Sequence, residues 1–122
     1  MSKKLLEFKS KAKQPFSIKA KSETSAEIII YGTIGGDWFG DGLTAKAFSD
    51  ELKKLGSSVK ELHVRINSPG GSVFEGITIH NRLKQHKSKK FVYIDGLAAS
   101  IASIIALAGD EIIIGDGAMY MI

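Results

Sequence analysis

Apolar and polar positions along the chain change period several times, and each change marks an element. Glu27 to Ile34 (EIIIYGTI) is a β-branched apolar run closed by Gly35 and Gly36, the pattern of a buried strand. The stretch GGDWFGDG follows as a loop. In TAKAFSDELKKL, Phe48, Leu52 and Leu55 fall at i, i+4 and i+7, so one face of a helix is apolar, with Thr44 as N-cap and Gly56 as C-terminal stop. Leu62, Val64 and Ile66 alternate with His63 and Arg65, which predicts a second strand that breaks at Asn67-Ser68-Pro69-Gly70-Gly71. A second helix is predicted over Val73 to Gln85, offering Val73, Phe74, Ile77, Ile79 and Leu83 for packing. Phe91 to Ile94 read as a third strand, broken at Gly96. Ala99 to Ala108 read as a nearly all-apolar helix that must be buried and that ends at Gly109. Two short strands, Glu111 to Ile114 and Ala118 to Ile122, flank a Gly-Asp-Gly turn.

Strands alternating with helices predict parallel crossovers, and continuous apolar strands predict a sheet covered on both faces; the class is α/β. Neither an internal repeat nor a low-complexity segment is visible. In open α/β sheets functional groups gather beyond the carboxyl ends of strands. The two strand-to-helix junctions, NSPGGS and DGLAAS, are therefore the places to look for chemistry.

Composition narrows the classes. At 122 residues, 43% apolar and 25% charged, the chain has the balance of one globular domain. The net charge of +4 is concentrated at the start, where residues 1–21 carry seven Lys against Glu7 alone and the remainder is net acidic. A phosphate-tracking face within the domain is therefore not expected. Residues 1–24 read as a basic, flexible tail ahead of a domain over 25–122. No apolar run has the length of a membrane span or signal segment, so no membrane or nucleic-acid partner is expected and the location is expected to be cytoplasmic. The absence of cysteine excludes disulfides, a thiolate nucleophile and thiolate metal sites.

At the first junction, Pro69 presets the turn, and Gly70, Gly71 and Ser72 are expected to aim backbone N–H groups outward at a helix start, an arrangement that can stabilise an oxyanion. A tight turn with a serine cap, or a phosphate cradle, accounts for the same residues. The full phosphate-loop pattern is missing. At the second junction Ser100 stands among small residues and is a candidate nucleophile; a helix cap is the plainer account. Ala98 and Ala102 occupy the positions where the G-x-S-x-G elbow has glycine, and Ser103 reads as an ordinary helical serine.

Gly71 and Ser100 are separated by one helix and one strand. In this order RINSPGGSVFEG, IDGLAASIAS and LAGDEIII resemble blocks of the ClpP family of serine proteases. They most resemble its phage-encoded branch, the head maturation proteases, whose amino-terminal half is also similar to IYGTIGGDWFGDGLTAKAFSDEL. The resemblance covers about Glu27 to Ile122. It implies a ClpP/crotonase-like fold of repeated β-β-α and βαβ units around a mostly parallel sheet. It also implies Ser100 as the nucleophile and the backbone N–H groups of Gly71 and Ile101 as an oxyanion hole.

In that family the histidine base directly follows a segment resembling AMYMI and the aspartate lies further on. The resemblance therefore implies an incomplete, truncated domain, nearly inactive alone and of doubtful ring assembly. His63, His80 and His86 do not stand where a base is expected, nor at metal-ligand spacing, and no cofactor is expected. Protein or peptide substrates are implied, with phage capsid or scaffold proteins or an ATP-driven AAA+ unfoldase as partners. An inactive assembly subunit and an acyl-CoA enzyme on the crotonase fold are the alternatives.

Overall fold

A computed structural model of the chain describes residues 16–36 and 42–122. Among these residues nine elements follow one another: β1 (Phe16–Ala20), β2 (Ser25–Tyr31), α1 (Ala45–Leu55), β3 (Glu61–Ser68), α2 (Val73–Gln85), β4 (Lys89–Ala99), α3 (Ile101–Ala106), β5 (Glu111–Ile114) and β6 (Met119–Met121). The sheet runs β1-β2-β3-β4-β5, with β6 also on β4. Every pairing is parallel except the β1–β2 hairpin. The α/β class and mostly parallel sheet expected from the pattern are present.

Alternation explains the core. Ile28 and Ile30, Leu62, Val64 and Ile66, and Val92 and Ile94 are completely buried, whereas the intervening Ile29, His63, Arg65, Phe91 and Tyr93 are half-buried. Among the described residues the helices thus cover one face of the sheet, where the apolar strands predicted cover on both. Phe48 and Leu52 of α1, Ile79 and Leu83 of α2, and Ala102, Ile105 and Ala106 of α3 complete the core. The open face is held by polar and aromatic contacts: His63 stacks on Phe91 at 4.9 Å, and Asp95 takes both the Tyr31 hydroxyl at 2.6 Å and Arg65 Nε at 3.2 Å. Burial, and then the bond to Asp95, push the Tyr31 phenol above its usual range.

Several features differ from the sequence reading, among them β2, which spans Ser25–Tyr31 rather than Glu27 to Ile34. Residues 16–24 are not tail: Phe16 to Ala20 pair with Ile30 to Ala26, because Phe16 and Ile18 present apolar side chains to the core. Residues 1–15 and the loop residues 37–41 lie outside the described residues. Gly96 does not end β4. Two extra residues of β4 fall between the pairs Ile66–Ile94 and Ser68–Ala98, a bulge at Gly96, where a side chain would lie 2.8 Å from Asn67 Oδ1. The strand then continues to Ala99, and α3 is shortened to Ile101–Ala106. In α2 the packing face is Gly76, Ile79 and Leu83, while Val73, Phe74 and Ile77 are 52%, 82% and 40% exposed.

The helix ends follow the sequence closely. Thr44 Oγ1 accepts the Ala47 N–H at 3.2 Å, and Gly56, at φ 76°, closes α1 through its N–H to Lys53 O. Ser72 caps α2 by accepting the Glu75 N–H at 3.4 Å. Nearly buried Lys90 donates to the Lys84 carbonyl at 3.5 Å and to the His86 carbonyl, satisfying the end of α2, and burial lowers its pKa.

Candidate active site

The two junctions meet beyond the carboxyl ends of β3 and β4. After Ser68, the chain turns through Pro69-Gly70-Gly71 into α2; after Ala99 it turns through Ser100 into α3. Gly70 has φ 101°, and a Cβ built on it would lie 2.8 Å from both Ser100 Cβ and the Ala99 carbonyl oxygen, and 3.3 Å from the Ile101 nitrogen. Only a residue without a side chain allows the turn to rest directly against Ser100 and the Ile101 N–H. Gly71, at φ 150°, lies against Ile34 instead: its Cβ would fall 2.1 Å from the Ile34 carbonyl oxygen.

The hydrogen bonds of the first turn sort its N–H groups. Gly70 N–H donates to buried Ser68 Oγ at 3.1 Å, and Ser72 N–H donates to Ile34 O at 2.9 Å, while Ile34 N–H returns to Gly70 O at 2.9 Å. Two of the three N–H groups expected to point outward are thus consumed within the fold. Gly71 N–H takes part in none of these bonds. The plainer reading of this motif, a tight turn with a serine cap, is realised at Ser72, and the cap coexists with the Gly71 geometry.

Ser100 is the one described non-glycine residue with positive φ, at 54° with ψ −129°. L-residues rarely adopt this conformation, and it is not the extended geometry of an N-cap. Its side chain makes no capping bond, so the cap reading fails here. The exposed hydroxyl stands on a sharp strand-to-helix turn, with Gly70 on one side and the buried residue Ile101 on the other. Met121 O accepts the Ser100 N–H at 2.9 Å, and the Ser100 carbonyl accepts Ser103 Oγ at 2.5 Å.

None of the three histidines is bonded to Ser100. His63 binds the Tyr93 hydroxyl at 2.8 Å and Glu61 at 3.2 Å on the open sheet face; His80 binds Asn81 Oδ1 at 3.1 Å on α2; His86 binds Ser88 Oγ at 2.8 Å. Burial, with a smaller contribution from the Lys90 charge, holds the His86 imidazole below its usual pKa. Among the described residues no cluster of His, Asp or Glu has the arrangement of a metal site. Two cavities, about 380 and 470 Å³, lie between α1 and α2 around Ser49, Arg82 and Gln85, and neither is lined by residues of the two junctions. No helix of the described residues is long and apolar enough to cross a membrane.

The domain is α/β, with Ser100 on a positive-φ turn that rests against the glycine turn of the first junction. Residues 21–122 match the Clp protease family, and the chain belongs to it. It is 34% identical over 84 residues to the ATP-dependent Clp protease proteolytic subunit of Bdellovibrio bacteriovorus, a match covering 69% of this chain and 38% of that one. A 76-residue stretch is 38% identical to part of a Na(+)/H(+) antiporter NhaA of Brucella abortus, covering 59% of this chain but 10% of that protein. Among solved structures, a variant of ClpP1 from Listeria monocytogenes is 28% identical with a TM-score of 0.57, over 85% of this chain and 51% of that one. An enoyl-CoA hydratase from Mycobacterium avium subsp. paratuberculosis shares the fold, with a TM-score of 0.65 at 19% identity over 88% of this chain and 47% of that one. The chain thus spans about half or less of the length of these proteins.

Proposed function

We propose that this chain carries the nucleophile half of a serine endopeptidase site of the Clp proteolytic-subunit type. The observation that carries the reading is Ser100: an exposed hydroxyl without a capping bond, on a positive-φ turn against Gly70. In the proposed reaction Ser100 Oγ attacks the carbonyl carbon of a peptide bond. The oxyanion that forms accepts hydrogen bonds from Gly71 N–H and Ile101 N–H, donors of a kind each worth on the order of 3 kcal/mol in the transition state. Collapse breaks the C–N bond, the amine leaves with a proton, and water then releases the acyl group from Ser100.

The proton on Ser100 Oγ needs a base, and the bonding of His63, His80 and His86 gives none of them that role. Peptide turnover by the 122 residues alone should accordingly lie roughly 10⁴ to 10⁶-fold below that of an intact triad. The substrate is a polypeptide. Head maturation in a phage, acting on capsid or scaffold protein, is favoured by the resemblance across IYGTIGGDWFGDGLTAKAFSDEL. Ring assembly and an unfoldase that supplies ATP dependence are the family's alternative setting for the same chemistry. The likeness to an enoyl-CoA hydratase is one of fold and brings no acyl-CoA chemistry with it.

A fluorophosphonate probe tests the assignment. Slow covalent labelling confined to Ser100, abolished in Ser100→Ala, is expected. Labelling elsewhere, or none after prolonged incubation at alkaline pH, overturns the nucleophile. Labelling as fast as in an intact serine protease overturns the missing base.

A further inference from the structure

Ser103 is completely inaccessible, in a helix whose Ile101, Ala102, Ile105 and Ala106 are buried as well. Its hydroxyl donates to the Ser100 carbonyl at 2.5 Å, and its own carbonyl accepts the Tyr120 hydroxyl at 2.8 Å. The Ser100 carbonyl also accepts the Ser103 N–H at 3.0 Å, while the Ser100 N–H is held by Met121 O at 2.9 Å. Both backbone groups of the strained residue are thereby fixed, one by the first turn of α3 and the other by β6. Tyr120 ties these two together, and β6 is itself in register with β4 through Ala98–Tyr120 and Ala99–Met121.

We infer that Ser103 and Tyr120 are positioning residues which hold Ser100 in its positive-φ conformation; that this serves catalysis rests on the reading of Ser100 as the nucleophile. A helical serine bonded back to a carbonyl one turn earlier is commonplace. Here, however, the acceptor is the residue whose backbone is out of its ordinary range, and strained residues persist only where neighbours over-determine them. The Tyr120 phenol supplies the second point of attachment, which a backbone turn alone lacks. The device needs no charge and no moving part.

Two readouts on Tyr120→Phe and Ser103→Ala test this and separate it from the nucleophile assignment. By NMR, the Ser100 Cα and Cβ resonances and the Ser100 and Ile101 amide resonances should move toward ordinary negative-φ values, with resonances of β1 and β2 unchanged. By fluorophosphonate labelling, the rate at Ser100 should fall about tenfold, the size expected for one lost hydrogen bond, at an unchanged final extent. Loss of folded protein would instead lower the final extent and move resonances everywhere. Ser103→Thr, which keeps the hydroxyl, should restore both readouts; because Ser103 is fully buried, half-exposed Tyr120→Phe decides the matter where a Ser103 variant does not fold. Ser100 and Ile101 resonances within error of the parent's in Tyr120→Phe overturn the positioning role. If the parent is not labelled at all but the resonances shift as stated, the clamp stands and the nucleophile falls.

Discussion

Gly76 in α2 packs against Ile101 of α3, between the two helices that flank the site, and replacing it with alanine tests whether their packing sets the geometry of Ile101. An added Cβ would lie 2.2 Å from Ile101 Cγ1, 3.0 Å from Cγ2 and 3.2 Å from Cβ. Ordinary carbon contacts begin near about 3.5 Å, so the nearest atoms must separate by roughly 1.3 Å. Rotating Ile101 about χ1 can turn a γ-carbon away but leaves its Cβ within 3.2 Å of the added carbon, so the start of α3 must also shift. Overpacking of this kind costs about 1 to 3 kcal/mol, offset by about 0.5 to 1 kcal/mol because alanine is the better helix former. The net loss, about 1 kcal/mol, lowers Tm by about 4 °C in a domain of this size. Displacing the Ile101 N–H by about 1 Å should slow labelling of Ser100 on the order of 10²-fold. Circular dichroism melting and probe labelling measure the two effects, and the double variant with Ile101→Ala should recover part of the stability, since the γ-carbons are gone. A rise in Tm for Gly76→Ala, or strict additivity of the two changes, would refute the contact as the cause.

Three further outcomes are expected. Ser100→Gly should melt above Ser100→Ala, because glycine relieves a conformation that costs about 1 to 3 kcal/mol and alanine retains it; equal melting temperatures would show that the turn stores no strain. Gly71→Ala should cost about 2 to 4 kcal/mol in urea unfolding, since its side chain would fall 2.1 Å from the Ile34 oxygen at φ 150°, and a loss below about 1 kcal/mol would contradict that fit. His86, whose folded pKa is lowered mainly by burial, contributes stability that is complete above its unfolded value near 6.5 and is lost as pH falls through the lower folded value. Tm should therefore drop on acidification from about pH 7 to 5 more steeply in the parent than in His86→Gln, and parallel profiles would count against the burial.

Local signals in the sequence place most of the elements, because the caps and breakers act within a few residues. Thr44, Gly56 and Ser72 stand where their side chains or backbone freedom predict, and the limits of α2 are those read from the periodicity. What depends on partners distant in sequence was not legible. The strand at Phe16–Ala20 is concealed by the lysines around it, yet its alternate residues face the core. The helical stripe at Val73, Phe74 and Ile77 has the composition of a packing face, but Gly76 is the residue that admits Ile101, and a glycine has no hydropathy by which to announce a contact. Gly96 reads as a terminator because a bulge and a strand end use the same residue for the same freedom.

The glycine pair at the first junction illustrates how two identical residues acquire different duties from the fold. In the sequence they form one flexible turn, interchangeable in any argument about backbone freedom. In the structure Gly71 is pressed against Ile34, so that its missing side chain secures the turn to the segment after β2, while Gly70 is pressed against Ala99 and Ser100, so that its missing side chain brings the second junction into contact with the first. Gly70 has its N–H and carbonyl engaged by Ser68 and Ile34, which fixes the peptide that presents Gly71 N–H. The residue nearest the serine is therefore the spacer, and its neighbour is the candidate donor. A side chain at position 70 should separate Ser100 from the turn without touching Gly71, whereas one at position 71 should loosen the turn from Ile34 first and reach Ser100 only through Gly70.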